Sequence, residues 1–156
     1  SGSVDLGMLL ALLRSGKLDV AELGDDLEHR SGLLGVSGVS ADVREVEAAA
    51  DAGDPRATLA LAMFAARAAS GIAAAATALP RLDAIVFTGG IGEHAGGLRA
   101  AIVDQLGVLG VAPVGHHESG KDRILSHMCD MPCILRVEAR EDLVCERQTT
   151  ALLRVG

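Results

Sequence analysis

Between Pro55 and Pro80 the chain reads as a single uninterrupted helix, and that segment limits what the rest can become. Residues 55 to 79 are rich in Ala and Leu, the strongest intrinsic helix formers, and Pro55 stands where a first helical position tolerates proline. Leu59, Met63, Ala66 and the small Ser70 share one face, and the alanine content lets a neighbouring element approach closely. Pro80 ends the helix. Asp83-Ala-Ile-Val-Phe-Thr88 then follows as an apolar run of strand length, which reads as a buried parallel strand rather than an edge. A long helix that feeds directly into such a strand argues for an α/β arrangement.

The flanking sequence extends that pattern. Residues 5 to 14 predict a helix stopped by Ser15-Gly16, and residues 19 to 30 a second one, with Asp19 and Glu22 spaced as a capping box. Ser31-Gly-Leu-Leu-Gly-Val-Ser-Gly38 is broken by glycine and serine and reads as an ordered loop. A short helix is expected from Asp42 to about Ala50. Beyond the strand, residues 94 to 106 read as a helix, Leu106 to Val114 as a short strand and turn, and Ile134 to Val137 as a second buried strand. Residues 141 to 153 predict a terminal helix with Leu143, Val144, Leu152 and Leu153 facing inward. The order is several helices and then β-α-β-α. The fold class is α/β, helix-rich with a parallel β-α-β unit, and it is short of the strands that a stable sheet needs.

At 156 residues the whole chain, 1–156, is the size of one domain, with 49% hydrophobic residues to build a core. Phe64 and Phe87 are its only aromatics, so nucleic acid would find no stacking platform. The net charge of −7 and scattered cations exclude a basic stripe for a phosphate backbone. No charge-free apolar window of membrane-spanning length and no export signal are seen, so a cytoplasmic protein with no membrane partner is expected. Three cysteines in such a chain read as reduced thiols, with Cys145 a small core residue. His116, His117, His127, Cys129 and Cys133 lack the paired short spacings of a structural zinc site, and His116-His117 reads as exposed loop.

The chemistry concentrates after the first strand. In Thr88-Gly-Gly-Ile-Gly-Glu-His94 the glycines let a ligand reach the backbone, and a nucleotide is the natural candidate. Gly90-Ile-Gly92-Glu-His-Ala95 satisfies the dinucleotide fingerprint mechanically. However, Asp104 falls inside a predicted helix where a ribose ligand should end a strand. A Walker loop is excluded because no Gly-Lys-Ser/Thr follows. The bland alternative is a strand-to-helix connection that binds nothing.

The run from Leu82 to His94 resembles closely the signature of the acetate and propionate kinase family, within the sugar kinase, actin and heat-shock ATPase superfamily. Ser31 to Glu45 looks like that family's second adenosine-site segment, in the same order and spacing. Ser1 to Asp5 resembles the segment that follows a catalytic arginine, and Ala139-Arg-Glu-Asp-Leu-Val144 its acidic C-terminal motif. The resemblance covers essentially the whole chain. It implies an incomplete actin-like, ribonuclease H-like ATPase domain, the C-terminal nucleotide-binding part of a kinase whose N-terminal domain is not in these residues. It assigns Gly90, Ile91, Gly92, Glu93 and His94, with Asp42, Val43 and Arg44, to ATP or ADP. It makes Glu141 a magnesium ligand.

The chain departs from the family pattern at His94, where an amide residue is usual, at Val43 in place of an aromatic, and at Ala139-Arg140 in place of Thr-Asn. The bland readings are an N-cap for Asp42, a surface cation for Arg44 and a helix N-terminal carboxylate for Glu141. The implied reaction is reversible transfer of the γ-phosphoryl of ATP to acetate or propionate, giving acyl phosphate and ADP, by a homodimer. The family's carboxylate-binding arginines, histidine and aspartate have no counterpart here, so this chain alone is expected not to catalyse it and no catalytic residue is assigned. A non-catalytic nucleotide-binding or dimerisation module is the alternative. A dehydrogenase fragment that binds NAD is a third.

Overall fold

In the computed structural model the described residues are 2, 4–115, 121–127 and 131–153. The chain divides into two compact units, Ser1–Leu79 and Pro80–Gly156.

The first unit is helical. Helix α1 (Leu6–Arg14) is capped by the Asp5 carboxylate, which accepts from the Met8 amide at 2.8 Å. Helix α2 (Val20–Asp25) carries the expected capping box: Asp19 accepts from the Glu22 amide at 2.8 Å and Glu22 accepts from the Asp19 amide at 3.1 Å. The helix then widens into a π-helical turn over Asp26–Arg30, where Arg30 bridges Asp25 and Asp26.

Residues 32 to 37, expected as a loop, form helix α3 (Gly32–Ser37). The glycines that read as helix breakers serve the packing instead. A β-carbon on Gly35 would lie 2.9 Å from the Arg30 carbonyl oxygen, and Gly38 closes the helix with φ +72°. Helices α4 (Val43–Asp51) and α5 (Pro55–Ala76) complete the unit, with Asp54 capping α5 through the Arg56 and Ala57 amides.

Val46, Ala57 and Ala60 are the centre of the core here, with Leu33, Val36, Ala49, Ala50 and Leu61 packed around them. The buried stripe of α5 is therefore the alanines at 57, 60, 65 and 69. Leu59 and Met63, on the face that the sequence marks as apolar, are 54% and 48% exposed. The small side chains are what let α3 and α4 come close, so the larger ones point away. Helix α5 is also long and apolar enough to cross a membrane by length and composition, while its alanine face packs within this unit.

The second unit holds the sheet, in the order β1-β3-β2. Strand β1 (Ala84–Phe87) pairs in parallel with β3 (Cys133–Arg136), Ala84 opposite Cys133 and Phe87 opposite Arg136. The two-residue strand β2 (Arg123–Ile124) lies antiparallel on the other side of β3. The register puts Ile85, Phe87, Ile134 and Arg136 on one buried face, whereas Val86 on the other is half exposed. So β1 is buried on one face only.

The helix predicted at 94 to 106 is α7 (Gly96–Asp104), which buries Leu98, Ala100, Ile102 and Val103, and the glycine turn before it is itself a short helix, α6 (Gly89–His94). Residues 106 to 114, expected to hold a strand, contain a 3₁₀ turn over Gly107–Leu109 that ends at Gly110 with φ +75°. In helix α8 (Glu141–Leu153), Leu143, Val144, Leu152, Leu153 and Cys145 are all exposed. The inward faces expected of them are not used within this unit.

Candidate functional site

Because β1 and β3 run parallel, their carboxyl ends open at the same edge of the sheet, which is where ligands of open α/β sheets bind. The glycine turn leaves β1 there, and residues 137–141 leave β3 beside it.

The turn is built from a few constraints. Gly89 takes φ +71°, a conformation other residues rarely hold. Gly92 sits against the strand: a β-carbon would stand 3.2 Å from the Phe87 carbonyl carbon. Gly90 and Ile91 face outward, and nothing lies within 4 Å of a β-carbon on Gly90, so the backbone is open to an approaching group. His94 is also exposed.

Glu93 is different, at 8% exposure. The Thr88 side chain makes no cap bond to α6, and Glu93 supplies one from inside the helix: its Oε1 accepts from the Gly89 amide at 2.9 Å. The same oxygen accepts from the Ala139 amide at 2.9 Å, which links the turn to the segment leading into Glu141. On the far side, the buried Arg99 donates through Nη1 to the Gly92 carbonyl at 2.8 Å.

Glu141 opens α8 and is exposed, as is Asp142 beside it. Among the described residues the Glu141 carboxylate has no hydrogen-bond or ion-pair partner, and no group of three or more His, Cys, Asp or Glu could enclose a metal. One or two open carboxylates of this kind suit magnesium, whose remaining positions are filled by phosphate and water. His116, His117 and Cys129 lie outside the described residues, while Cys133 is half-buried on β3.

Asp42, Val43 and Arg44 stand at the start of α4 in the first unit. Asp42 caps the helix, accepting from the Arg44 amide at 2.9 Å, and also binds the Arg44 side chain through Nε at 3.0 Å. The hydrogen bond from the Arg44 guanidinium, followed by that from its amide, lowers the Asp42 carboxyl from 3.8 to about 2. The same partnership raises the Arg44 pKa. Arg44 remains largely exposed, whereas Val43 is 6% exposed and its side chain belongs to the helical core. Whatever Val43 offers a ligand passes through its backbone. The preceding turn is held by Arg56, whose Nε donates to the Val36 carbonyl at 3.0 Å, and by the buried Ser37.

Sequence reasoning missed three residues that organise the second unit: Arg99, Asp122 and Arg140. Arg99 carried a signal, since a lone cation among Leu98, Ala100, Ile102 and Val103 needs a buried partner. Asp122 had none. Its Oδ1 accepts from the Glu138 amide at 2.9 Å and its Oδ2 from Arg140 at 2.8 Å. The Glu138 amide above all, with Arg140 adding its charge, holds its carboxyl below the usual range.

The profile of the acetokinase family matches residues 1–147. The chain belongs to that family. It is 43% identical to the acetate kinase of Thermosynechococcus vestitus over 154 residues, 97% of this chain and 37% of that protein. It is 35% identical to the acetate kinase of Symbiobacterium thermophilum over 156 residues, 99% of this chain and 39% of that protein. Among solved structures, Porphyromonas gingivalis acetate kinase superposes with a TM-score of 0.88 at 32% identity, over 98% of this chain and 39% of that one. A Francisella tularensis propionate kinase does so with a TM-score of 0.82 at 33% identity, over 92% of this chain and 37% of that one. The fold is thus the actin-like ATPase fold of acetokinases, present as a partial domain, and the chain spans about two-fifths of the length of the acetokinases it matches.

Proposed function

We propose that this chain supplies the nucleotide- and magnesium-binding part of an enzyme that reversibly transfers the γ-phosphoryl of ATP to acetate or propionate. The observation that carries the proposal is the shared edge of the parallel pair: the open backbone of Gly90 and Ile91 leaves β1 beside the segment that carries Glu141 away from β3.

Phosphoryl transfer depends on positioning and charge neutralisation more than on a strong nucleophile. The parts assigned here fit that demand. Gly90, Ile91 and Gly92 form an approachable turn for the nucleotide, and His94 adds an exposed ring that can donate a hydrogen bond. Glu141, with Asp142 next to it, would hold magnesium, which when bound neutralises the phosphates. Asp42 and Arg44 form the second nucleotide segment: Asp42 fixes the direction of the guanidinium, and Arg44 presents its charge to solvent. The chain alone binds nucleotide without turning it over. A homodimer is proposed for the whole protein, supported by the exposed apolar side chains of α1, α5 and α8.

Titration calorimetry with ADP and magnesium tests this, with NAD as the control. The expected result is micromolar to millimolar ADP binding, weakened at least tenfold in Arg44→Ala, and no heat with NAD. A folded chain that ignores ADP, or prefers NAD, would overturn the proposal. A bare nucleotide-binding module would bind ADP equally with and without magnesium.

A further inference from the structure

We infer that Glu93 is a positioning residue, which clasps the glycine turn to the main chain entering Glu141 so that the nucleotide turn and the metal carboxylate move as one piece. The inference rests on the assignment of Glu141 made above, and it gives Glu93 a part that needs no contact with the nucleotide.

The geometry is specific. Each main-chain N–H from Val137 to Glu141 has a partner. Val137 donates to the Phe87 carbonyl at 2.9 Å, continuing the parallel ladder, and Glu138 donates to Asp122 Oδ1 at 2.9 Å. Ala139 donates to Glu93 Oε1 at 2.9 Å, Arg140 to the Glu138 carbonyl at 3.1 Å and Glu141 to the Ala139 carbonyl at 2.8 Å. The strap is therefore gripped by a carboxylate from either flank, Glu93 from α6 and Asp122 from beside β2.

Glu93 differs from Asp122 in two ways. It is buried, so its bonds are not shared with bulk water, and its single Oε1 holds both the Gly89 and the Ala139 amides. Any movement of the glycine turn is passed to Ala139 through one atom. Arg99 restrains the next carbonyl, that of Gly92, so the turn cannot give way without leaving buried groups unpaired. A residue that touched the nucleotide would need an outward carboxylate. Within α6, Gly90, Ile91 and His94 are the exposed members.

Amide exchange followed by NMR on the 156-residue chain decides it, in the native protein, Glu93→Ala, Glu93→Gln and Glu141→Gln, together with ADP affinity with and without magnesium. In Glu93→Ala, exchange at Gly89 and Ala139 should rise at least tenfold while Ile85 and Ile134 stay protected. The gain in ADP affinity that magnesium brings should fall to within about twofold of none, with magnesium-free binding changed less than threefold. Glu93→Gln should restore both, because its amide oxygen can occupy the place of Oε1 and accept from the same two donors.

Unchanged exchange at Ala139 in Glu93→Ala would overturn the clasp, as would a Glu93→Gln variant that keeps Ala139 protected yet loses the magnesium gain. If Glu93→Ala loses protection at Ile134 as well, Glu93→Gln decides alone: protection with the gain intact supports the clasp, and protection without it refutes it. Glu141→Gln separates the two assignments. If it leaves the magnesium gain intact, the metal assignment fails while the exchange data still judge the clasp.

Discussion

A β-carbon on Gly92 would stand 3.2 Å from the carbonyl carbon of Phe87 and 3.5 Å from its α-carbon. Both atoms are backbone at the end of β1 and cannot swing aside. Gly92→Ala must therefore shift α6 relative to the strand, at a cost of about 1–3 kcal/mol, comparable to overpacking a core. Gly90→Ala meets open space at a negative φ, so stability should hold or rise by up to about 1 kcal/mol, as Ala replaces Gly in a helix. ADP affinity should nonetheless fall about tenfold, because the new methyl stands where the ligand approaches. Thermal unfolding and calorimetry on the two variants check both halves. A Gly90→Ala variant with unchanged ADP binding would remove that glycine from the site.

The Asp42–Arg44 pair gives a pH prediction. The carboxyl is depressed to about 2 from an ordinary 3.8, so its contribution to capping α4 is fully present above 3.8 and is lost as pH falls toward 2. An NMR titration of the Asp42 carboxyl should show that low midpoint. In Arg44→Ala the main cause of the shift is gone, and the midpoint should rise toward 3.8, although the amide of residue 44 still donates. A midpoint that stays near 2 would assign the shift to the helix cap alone.

The strand-turn-helix signal was legible because each part is local: an apolar run, glycines that free the backbone, and then helix-forming residues from 94 onward. The long helix from Pro55 was legible for the same reason. Its buried face was not, since packing density favoured the alanines over Leu59 and Met63, and a hydrophobic stripe cannot show which neighbour comes closer. Residues 31 to 38 were misread because Gly35 and Gly38 suit close contacts, with the Arg30 carbonyl and the Arg56 guanidinium, that lie outside local propensity. The link from Glu93 to Ala139 spans 46 residues and had no pattern to betray it. Glu141 was singled out only by resemblance, and nothing local marked the strap that carries it.

The two faces of the first unit should respond oppositely to truncation. Val46 is fully buried against Ala57 and Ala60, so Val46→Ala should cost about 2 kcal/mol, from two lost carbon groups and the void they leave. Leu59→Ser and Met63→Ser, on the open side of α5, should change stability by less than about 0.5 kcal/mol. Sedimentation should show weaker self-association for those two if α5 lies in the proposed homodimer. Urea unfolding that ranked Leu59→Ser above Val46→Ala would show that the open face is covered in solution.

Arg99 tests how far the glycine turn depends on what lies beneath it. Arg99 is 2% exposed, and its Nη1 donates to the Gly92 carbonyl. Arg99→Met keeps much of the volume and removes that donor, leaving the carbonyl without this partner at a cost of about 1–3 kcal/mol. Arg99→Lys restores a charge but not the planar fork, so rescue should be partial. Because Gly92 is held both by Arg99 and by its contact with Phe87, the loss should be local. Amides of Gly89 and Ile91 should exchange faster while those of the β1–β3 ladder stay protected, and ADP affinity should fall without any change in its magnesium dependence. If the ladder loses protection together with the turn, Arg99 supports the whole sheet, and its bond to Gly92 is incidental to nucleotide binding.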